Sequence, residues 1–404
     1  MNIAIIGGGA AGMMAVASLI EHGFKGEIHL FEKNSRLGVK VLISGGGRCN
    51  VTTGNNDIKK ILEKYPRGAN LLKYALYEFP PQKVYEWFED HNVPLKIEKD
   101  QRVFPRSNNG ADVVQAFERI FQKNNVHVHY KTGIFFIQKF ENTYAVTTSA
   151  DETMIFDIVL LTTGGEAFRH TGSTGDGYTF AENLGHTITK LAPSLHSFHL
   201  KDEYLLQIPG ISFPEVSLSV EKYKANGPII FTHKGISGPA TFTLSSLAAY
   251  TSMPFTLSID FLPFLSEDEL FQILTKECKN SKVQLKNITF HYIPKALFQA
   301  ILEHNNLAEQ KAGELSHKVI RNLIHQLKHC ECTVSARGKG DEFVTAGGVS
   351  SDEIDPKTFQ SKICPNVFFA GEILDIDGFT GGFNLQNAWS TGYVAGRAIA
   401  HIHE

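Results

Sequence analysis

The first twelve residues constrain the fold more than any other part of this 404-residue chain. An apolar, β-branched run from Ile3 to Ile6 passes directly into Gly7-Gly8-Gly9-Ala10-Ala11-Gly12, which has the spacing G-x-G-x-x-G. In a βαβ unit the first glycine permits a tight turn, the second lets the backbone approach a pyrophosphate, and the third lets the helix pack close to the sheet. The sequence therefore predicts a strand, a phosphate-binding turn and a helix.

Glu32 supplies the second part of this motif. It ends a strand-like run over residues 27–32 and lies 20 positions after Gly12. An acidic residue at this spacing accepts hydrogen bonds from ribose hydroxyls. The N–H groups at the start of the helix, together with the helix dipole, attract phosphate. We therefore expect a bound dinucleotide and not only a glycine-rich turn.

Composition limits the class of protein. The chain is 42% hydrophobic and 20% charged, and its length favours two or three domains. A net charge of −3 gives no overall argument for nucleic acid, although it leaves room for a local basic surface. Five scattered cysteines favour a reducing compartment. The N-terminus lacks the basic start of a signal peptide, and no apolar run of about 18 residues occurs. We expect a cytoplasmic protein without a membrane span.

The later patterns predict that the nucleotide fold is interrupted. In the first part we expect a helical stretch at 71–91, a β-meander over 126–130, 134–140 and 143–148, and a buried strand at 157–161. In the middle we expect short strands at 217–223, 255–261 and 286–292, with helices near 267–280 and 314–329. A strand at 366–372 and a helix at 385–402 follow. We therefore predict an α/β fold in which residues 1–190 and 341–404 form one nucleotide-binding domain and residues 191–340 form an inserted mixed α+β domain.

The C-terminal segment indicates which dinucleotide binds. Ala370-Gly371-Glu372, then Asp375 and the glycine-rich loop 378–384, resemble the late segment of glutathione-reductase-type flavoproteins. In those proteins the carboxylate meets the ribityl chain, and the next helix points its N-terminus at the flavin pyrimidine, where its dipole stabilises negative charge. This resemblance implies FAD in a split Rossmann-type domain. Since no second G-x-G-x-x-G occurs, we expect NAD(P)H to visit only transiently as electron donor.

Longer motifs extend the resemblance over almost the whole chain. They are Leu42-Ile43-Ser44-Gly45-Gly46-Gly47-Arg48-Cys49-Asn50-Val51-Thr52, Arg102-Val103-Phe104-Pro105, Gly172-Ser173-Thr174-Gly175-Asp176-Gly177, Phe231-Thr232-His233-Lys234-Gly235-Ile236-Ser237-Gly238-Pro239, Thr345-Ala346-Gly347-Gly348-Val349 and Ala370-Gly371-Glu372-Ile373-Leu374-Asp375-Ile376-Asp377-Gly378. With these motifs the chain resembles the HI0933-like flavoproteins, the BaiN/YhiN group.

The resemblance implies an FAD domain split by an insert, and reduction or oxidation of carbon–carbon double bonds. Substrates linked to the family include bile-acid intermediates and a uridine of ribosomal RNA. From the motifs and the resemblance together, the residues expected to contact the cofactor are Gly7, Gly9, Ala11, Gly12, Glu32, Lys33, Lys40, Ser44, Gly45, Gly46, Arg48, Asn50, Ile134, Thr163, Gly164, Gly165, Gly371, Glu372, Asp375, Gly382, Asn384 and Leu385.

The second glycine cluster, residues 44–50, is where we expect the chemistry. Consecutive glycines let backbone amides face a phosphate or the flavin edge. We expect Arg48 to pair with phosphate or with an anionic reduced flavin, and Asn50 to hydrogen-bond the ring. Cys49 has two interpretations: a thiol that delivers a proton to the substrate, or a small buried residue that packs under the cofactor. His233, in the Thr-His-Lys-Gly-Ile-Ser-Gly-Pro turn, is the second candidate for a catalytic role.

Two further patterns carry weaker expectations. Cys330-Glu331-Cys332 has no second pair at ligand spacing, so we expect no metal site. A helical pattern over 314–329 places Lys318, Arg321, His325, Lys328 and His329 mainly opposite its apolar positions, within a basic stretch that runs from Lys311 to Lys339. Three interpretations of this basic face stay open: it binds RNA phosphates, it binds a CoA tail, or it faces only solvent.

Three functions stay open on the sequence alone. The first is an FAD-dependent reductase of an activated carbon–carbon double bond, with an RNA uridine as one substrate. The second is an FAD-dependent dehydrogenase or oxidase of a small apolar molecule that is steroid-like or CoA-linked. The third is a non-catalytic flavoprotein that senses redox state or carries electrons. An RNA substrate and a small-molecule substrate both stay open, and so does the oligomeric state.

Overall fold

A computed structural model describes residues 1–279, 281–288, 290–338 and 342–402 of the chain. These residues divide into two compact units. The first unit comprises Met1–Pro193 and Phe343–Glu404, and the second comprises Ser194–Glu342. The chain therefore leaves the first unit once and returns to it once.

The strands of the described residues are β1 (Asn2–Ile6), β2 (Glu27–Glu32), β3 (Thr52–Thr53), β4 (Leu95–Ile97), β5 (Arg102–Pro105), β6 (His127–Tyr130), β7 (Ile134–Phe140), β8 (Thr143–Thr148), β9 (Thr153–Phe156), β10 (Ile158–Leu161), β11 (Ala192–Ser194), β12 (Phe198–Leu200), β13 (Ser212–Val220), β14 (Tyr223–Thr232), β15 (Gly235–Ser237), β16 (Phe255–Asp260), β17 (Cys330–Arg337), β18 (Val344–Ala346) and β19 (Val367–Phe369).

The α-helices are α1 (Ala10–Glu21), α2 (Val39–Ile43), α3 (Ile58–Leu62), α4 (Ala69–Glu78), α5 (Pro81–Asp90), α6 (Ala111–Lys123), α7 (Asp176–Asn183), α8 (Glu203–Leu206), α9 (Pro239–Leu247), α10 (Glu267–Cys278), α11 (Lys295–His304), α12 (His317–Lys328) and α13 (Phe383–Ala400). Within the described part of the chain, none of the helices combines the length and the apolar character that a membrane crossing requires.

A five-stranded parallel sheet is the centre of the first unit, with the strand order β19-β10-β1-β2-β6. Residues 3–6 of β1 are at most 4% exposed. Such a strand is covered on both faces, which explains why its sequence is continuously apolar and not alternating. The predicted α/β Rossmann-type fold is thereby confirmed.

The β-meander consists of different strands from those predicted. β6 pairs in parallel with β2, through His127 opposite His29 and Tyr130 opposite Glu32, and so belongs to the main sheet. The meander consists instead of β7, β8 and β9. Alternation along a sequence indicates a half-buried strand but does not say which sheet the strand joins. The assignment of 126–130 to the meander was therefore wrong.

The predicted helical stretch at 71–91 is two helices. α4 ends before Phe79, and α5 begins with Pro81 at its first position and Pro80 as its N-cap. Proline disfavours a helical conformation in the residue before it and lacks the N–H that a continuous helix needs. The two prolines therefore end one helix and start the next.

The second unit contains a closed six-stranded barrel in the order β12-β15-β14-β13-β16-β17. The helices α10, α11 and α12 lie in the chain between β16 and β17. The strand predicted at 286–292 is absent from the described residues of that range. Leu285–Asn287 form a 3-10 turn, and Leu285 and Lys286 donate backbone hydrogen bonds to Gln310 and Ala308. Residue 289 of the prediction lies outside the described residues.

The first and last helices of the first unit approach each other backbone to backbone. A methyl group added to Gly392 of α13 would lie 2.4 Å from the carbonyl oxygen of Ala11 in α1. One added to Gly396 would lie 2.4 Å from the carbonyl oxygen of Ala15. These distances are shorter than any normal carbon–oxygen contact. Glycine at both positions therefore lets the C-terminal helix pack directly on the helix that follows the nucleotide turn.

We expect Gly392→Ala to destabilise the protein. Alanine gains about 1 kcal/mol of helix propensity over glycine, but the added methyl group meets three backbone atoms of Ala11, which cannot rotate away. Overpacking of this kind costs roughly 1–3 kcal/mol. Chemical denaturation should show a net decrease in the free energy of unfolding. Gly133→Ala is the control, because its methyl group would meet neighbours only at 3.5 Å or more; an equal effect of the two substitutions would contradict the tight approach.

Candidate cofactor-binding site

The nucleotide turn has the backbone that the G-x-G-x-x-G spacing predicts. Gly7 has φ +114° and donates its N–H to the Phe31 carbonyl at 2.9 Å. A methyl group on Gly12 would lie 2.1 Å from the Gly7 carbonyl oxygen, so the third glycine is needed for packing. A methyl group on Gly9, in contrast, would meet no described atom within 4 Å. Gly9 therefore faces open space at the start of α1.

The start of α1 is an anion-binding position. Gly9 is its N-cap, and it provides no side-chain hydrogen bond to the first turn, which also lacks an acidic residue. The first N–H groups of a helix have no intrahelical acceptor and lie at the positive end of the dipole. A phosphate in front of Gly9 and Ala11 would accept them.

Glu32 lies beside this turn at the end of β2 and is 8% exposed. One carboxylate oxygen accepts the Gly8 N–H at 3.0 Å, and the other accepts the backbone and side-chain N–H groups of Asn34 at 2.8 and 2.7 Å. A carboxylate has about four lone-pair positions. Three protein donors therefore fix its orientation and leave capacity for a ligand hydroxyl.

Lys40, Gly164 and Glu372 meet at the carboxyl end of the sheet. Lys40 Nζ donates to Glu372 Oε2 and to Ser173 Oγ, each at 2.9 Å. A methyl group added to Gly164 would lie 2.8 Å from Ser173 Oγ and 3.9 Å from Lys40 Nζ. Glu372 Oε1 accepts the backbone N–H of Thr345 at 3.0 Å. Ser173 and Thr345 complete this group; both lie in motifs quoted above but were not expected to be site residues.

Lys33, Ile134, Thr163 and Gly165 lie in the strands and loops around this group. Lys33 Nζ pairs with Asp176 at 2.6 Å. Ile134 begins β7, directly after Gly133, where an added methyl group would lie 3.7 Å from Lys33 Cβ. Thr163 and Gly165 flank Gly164 immediately after β10.

Residues Ser44–Gly47 of the second glycine cluster form a kinked turn, in which Gly45, Gly46 and Gly47 all have positive φ and Gly45 and Gly46 are left-handed. A methyl group on Gly46 would meet no described atom within 4 Å. Ser44 Oγ donates to the Val41 carbonyl at 2.8 Å. The cluster therefore holds its shape by local bonds and presents one glycine to open space.

Arg48 and Asn50 already have protein partners. Arg48 Nη1 donates to Glu98 at 2.8 Å, and its guanidinium lies 3.8 Å from the centroid of the Phe104 ring. Asn50 Oδ1 accepts the backbone N–H of Val103 at 3.2 Å. Both side chains tie the cluster to β5 and to the loop before it.

Cys49 is enclosed. It has φ +60°, which is uncommon for a residue other than glycine, and its exposed fraction is 0%. A methyl group added to Gly110 would lie 3.2 Å from Cys49 Cβ. Burial raises the pKa of the Cys49 thiol to about 12, against an opposing hydrogen bond with Ser44. These observations favour packing over proton delivery.

The C-terminal return reaches the nucleotide turn. A methyl group added to Gly371 would lie 2.8 Å from Ala11 Cβ, and the Gly371 N–H donates to Thr391 Oγ1 at 2.9 Å. Gly382 is the N-cap of α13 with φ +92°, and a methyl group there would lie 2.5 Å from the Thr52 carbonyl oxygen. The turn after β1, the loop after β19 and the strand after the second glycine cluster are therefore neighbours.

Two buried oxygens of this return have no hydrogen-bond partner of normal geometry among the described residues. Asp375 Oδ2 accepts the Thr189 hydroxyl at 3.1 Å, whereas Asp375 Oδ1 has no partner of normal geometry among the described residues. Asn387 in α13 is 1% exposed, and its Oδ1 likewise has no hydrogen-bond partner among the described residues. Burial raises the pKa of Asp375. An unsatisfied buried acceptor costs about 1–3 kcal/mol, so both atoms are suited to a ligand that supplies donors.

Asn384 and Leu385 are the second and third residues of α13, after the glycine-rich loop. Asn384 Oδ1 accepts the Gly378 N–H at 2.8 Å, and its Nδ2 donates to the Gly378 carbonyl at 2.7 Å. Asn384 thereby closes the loop on itself, and Leu385 follows it as a partly buried residue of the first helical turn.

His233 belongs to the second unit. It lies in the turn between β14 and β15, and it is exposed there. The motif around it forms a hairpin in which Phe231 pairs with Ile236. The role expected for His233 toward a substrate stays a prediction.

Several cationic side chains of the basic stretch in the second unit are paired with carboxylates. Lys328 was expected on the polar face of its helix, but this was wrong: it is 9% exposed and pairs with Asp260 at 2.8 Å. Its four-carbon chain lets a residue on the buried face carry its charge to a partner. Lys311 pairs with Glu314, and Arg321 lies 3.8 Å from Asp268. Lys339 lies outside the described residues.

Comparison with known proteins gives the family. The profile of the HI0933-like protein Rossmann domain matches residues 1–398. The chain is 28% identical to a 3-dehydro-bile acid delta(4,6)-reductase from Clostridium scindens, over 99% of each chain. It is 26% identical to a ribosomal RNA dihydrouridine synthase from Haemophilus influenzae, over 98% of each.

A solved structure supports the fold. It is a 3-ketosteroid delta1-dehydrogenase from Sterolibacterium denitrificans, with a TM-score of 0.50, 13% identity and 99% of each chain covered. At that identity the likeness concerns the fold alone. Since the family profile spans nearly the entire sequence, the resemblance seen in the motifs is confirmed, and the chain belongs to the HI0933-like family of Rossmann-fold proteins.

Proposed function

We propose that this protein is an FAD-dependent oxidoreductase that reduces an electron-poor carbon–carbon double bond, with NAD(P)H as a transient electron donor. The observation that carries the proposal is the contact between the two ends of the site: Gly371 lies against Ala11 at the start of α1. A turn that binds a pyrophosphate and a return suited to a flavin are thus adjacent, as an extended FAD molecule requires.

The residues present fit FAD. Gly9 and the start of α1 would hold the pyrophosphate, and Glu32 would hold the ribose of the adenosine half. The buried oxygens Asp375 Oδ1 and Asn387 Oδ1 would accept hydrogen bonds from hydroxyl or ring N–H groups. When bound, FAD supplies hydride transfer through flavin N5.

The chain's own groups provide electrostatics and proton control. α13 begins at Phe383 after the N-cap Gly382, which has no side chain to cap the helix, so its first N–H groups are available to stabilise negative charge near the loop 378–382. Asp375 retains a proton more readily than an exposed aspartate, because burial raises its pKa. Lys40 neutralises Glu372, which limits the negative charge at the carboxyl end of the sheet.

The named relatives support the substrate class. A delta(4,6)-reductase of a 3-dehydro-bile acid and a dihydrouridine synthase both saturate a carbon–carbon double bond conjugated to a carbonyl group. We infer the same class of substrate here, with a uridine of ribosomal RNA as the first candidate and a steroid-like enone as the second. If the protein were an oxidase, dioxygen should rapidly reoxidise its reduced flavin. If it were only an electron carrier, it should turn over no substrate.

We expect the purified protein to be yellow and to release FAD, not FMN, on heating. Gly9→Leu tests the binding position, because residue 9 has ordinary φ of −82° and its side chain would enter open space. The variant should keep the circular dichroism spectrum of the parent and lose its flavin. Release of FMN alone, or retention of FAD by the variant, would contradict the proposal.

Glu32→Ala should weaken FAD retention by roughly 1.5–3 kcal/mol, the value of a hydrogen bond to a charged group. Glu27→Ala, an exposed change at the other end of the same strand, is the control. Equilibrium dialysis of the apoprotein against FAD measures both affinities. Equal affinity in the two variants would remove Glu32 from the site.

Cys49→Ala should leave turnover within about threefold of the parent, because a fully buried thiol with a raised pKa is a poor general acid. Stability should fall by roughly 1–2 kcal/mol through loss of a packed atom. Cys332→Ala, at a cysteine that is also buried but lies in the second unit, is the control and should cost a similar amount of stability. A decrease in turnover of ~10²–10⁴ with flavin still bound would restore Cys49 as the proton donor.

Comparing a deletion strain with its parent separates the substrates. If ribosomal RNA is the substrate, nucleoside analysis should show one dihydrouridine fewer in the deletion strain. The parental gene should restore it, and the Gly9→Leu gene should not. An unchanged dihydrouridine content, together with NAD(P)H-dependent reduction of a steroid enone by the purified protein, would instead identify the small-molecule class.

A further inference from the structure

Three ligand-type side chains meet in the second unit, outside the candidate cofactor site. The possible ligand atoms of Glu267, His325 and His329 all lie within 4.8 Å of one another. His329 Nε2 is 3.2 Å from Glu267 Oε1, and the two imidazole rings have centroids 4.9 Å apart. All three side chains are exposed, so a solvated ion has access to them.

The sequence explains why they meet. His325 lies in the last turn of α12, and His329 is the C-cap residue that follows the helix. The two imidazole rings nevertheless lie side by side, with their centroids 4.9 Å apart. Glu267 is the first residue of α10. The capping box of that helix uses Ser266 and Glu269, so the Glu267 carboxylate is not required for the cap.

Buried contacts hold this arrangement together. Lys328 Nζ donates to the carbonyls of Leu262 and Leu265, both at 2.7 Å, and pairs with Asp260 at 2.8 Å. These bonds fix the last turn of α12 against the segment that leads into α10. Because His329 follows Lys328 directly, the two histidines and Glu267 are held close together by the fold itself, which lowers the ordering cost of binding an ion.

Nearby cationic charge is compensated. Arg321 precedes His325 by one turn, and its guanidinium lies 4.4 Å from the centroid of the Phe271 ring and 3.8 Å from Asp268. Its charge is therefore offset by a carboxylate and directed to an aromatic face. The end of α12 also carries the negative pole of the helix dipole, which favours a bound cation.

We propose that Glu267, His325 and His329 bind one Zn²⁺ ion, with water completing the coordination. Zn²⁺ takes imidazole nitrogen and carboxylate oxygen in tetrahedral geometry at about 2.0–2.2 Å, which places neighbouring ligand atoms roughly 3.3 Å apart. The 3.2 Å separation of His329 Nε2 and Glu267 Oε1 already matches this value. Mg²⁺ and Ca²⁺ prefer oxygen ligands and should not compete.

The ion would join two ends of one segment. Glu267 and His329 are 62 residues apart, near the beginning and the end of the helical segment between β16 and β17. An ion that binds these ligands only in the folded state stabilises that state by mass action. Cysteine spacing gave no sign of this cluster, because its ligands are two histidines and a carboxylate from a helix distant in sequence.

The test uses the full chain with any purification tag removed. Zn²⁺ is titrated against a chromogenic chelator, and we expect one competing site per chain. His325→Gln with His329→Gln should weaken zinc affinity at least tenfold, and Glu267→Gln should weaken it several-fold. The matched controls are His291→Gln, an exposed histidine of the same unit, and Asp268→Asn, the neighbouring acid. Both controls should bind zinc as the parent does.

Thermal unfolding gives the second readout. Zn²⁺ should raise the melting temperature of the parent and of both controls but not that of the double variant, and Mg²⁺ should raise none of them. Parental zinc affinity in the double variant would overturn the proposal. So would an equal loss in His291→Gln, because the ion would then bind surface histidines at large. Since Glu267 is exposed and outside the cap, Glu267→Gln decides the matter if the double variant does not fold.

Discussion

The backbone contact between α1 and α13 is the constraint on which the rest of the first unit depends. Gly392 and Gly396 bring α13 onto the carbonyl oxygens of Ala11 and Ala15, and Gly371 lies against Ala11 from the loop before α13. α1 carries the nucleotide turn, whereas α13 carries the return. Since a close-packed interior transmits even small displacements, this contact sets the spacing between the two halves of the cofactor site.

The basic side chains of the candidate cofactor site are paired with carboxylates of the protein. Lys40 and Arg48 each pair with a carboxylate, Glu372 and Glu98 respectively. With these cations already balanced, the phosphates of a cofactor would be met chiefly by backbone N–H groups at the start of α1. In keeping with this, the motifs of this chain contain more glycines, which expose backbone, than basic residues.

Features that depend on local spacing could be predicted from the sequence. The turn 7–12, the position of Glu32 and the return at Gly371 are set by short motifs, and the structure places all of them at one end of the parallel sheet. The parallel pairing of β6 with β2 could not be predicted, because alternation does not identify a partner strand. Helix periodicity likewise placed Lys328 on the polar face and did not anticipate Asp260, 68 positions earlier, as its partner.

The burial of Cys49 is another feature that could not be predicted from local sequence. Its motif marks it as a cofactor-type cysteine, but its burial depends on Gly110 at the start of α6 and on a left-handed backbone at residue 49. Neither is visible in the motif. The Glu267–His325–His329 cluster is the corresponding case in the second unit, where two helices distant in sequence bring the ligands together.

A crystal structure of the protein with FAD bound would show directly whether the start of α1 and the C-terminal return hold one cofactor between them. We expect the pyrophosphate within hydrogen-bond distance of the backbone N–H groups at Gly9–Ala11, the adenosine ribose on Glu32, and the isoalloxazine beside the segment 371–384. Asp375 Oδ1 and Asn387 Oδ1 should each gain a hydrogen-bond donor. A flavin whose pyrophosphate lies away from the start of α1, or whose ring lies far from residues 371–384, would contradict this arrangement.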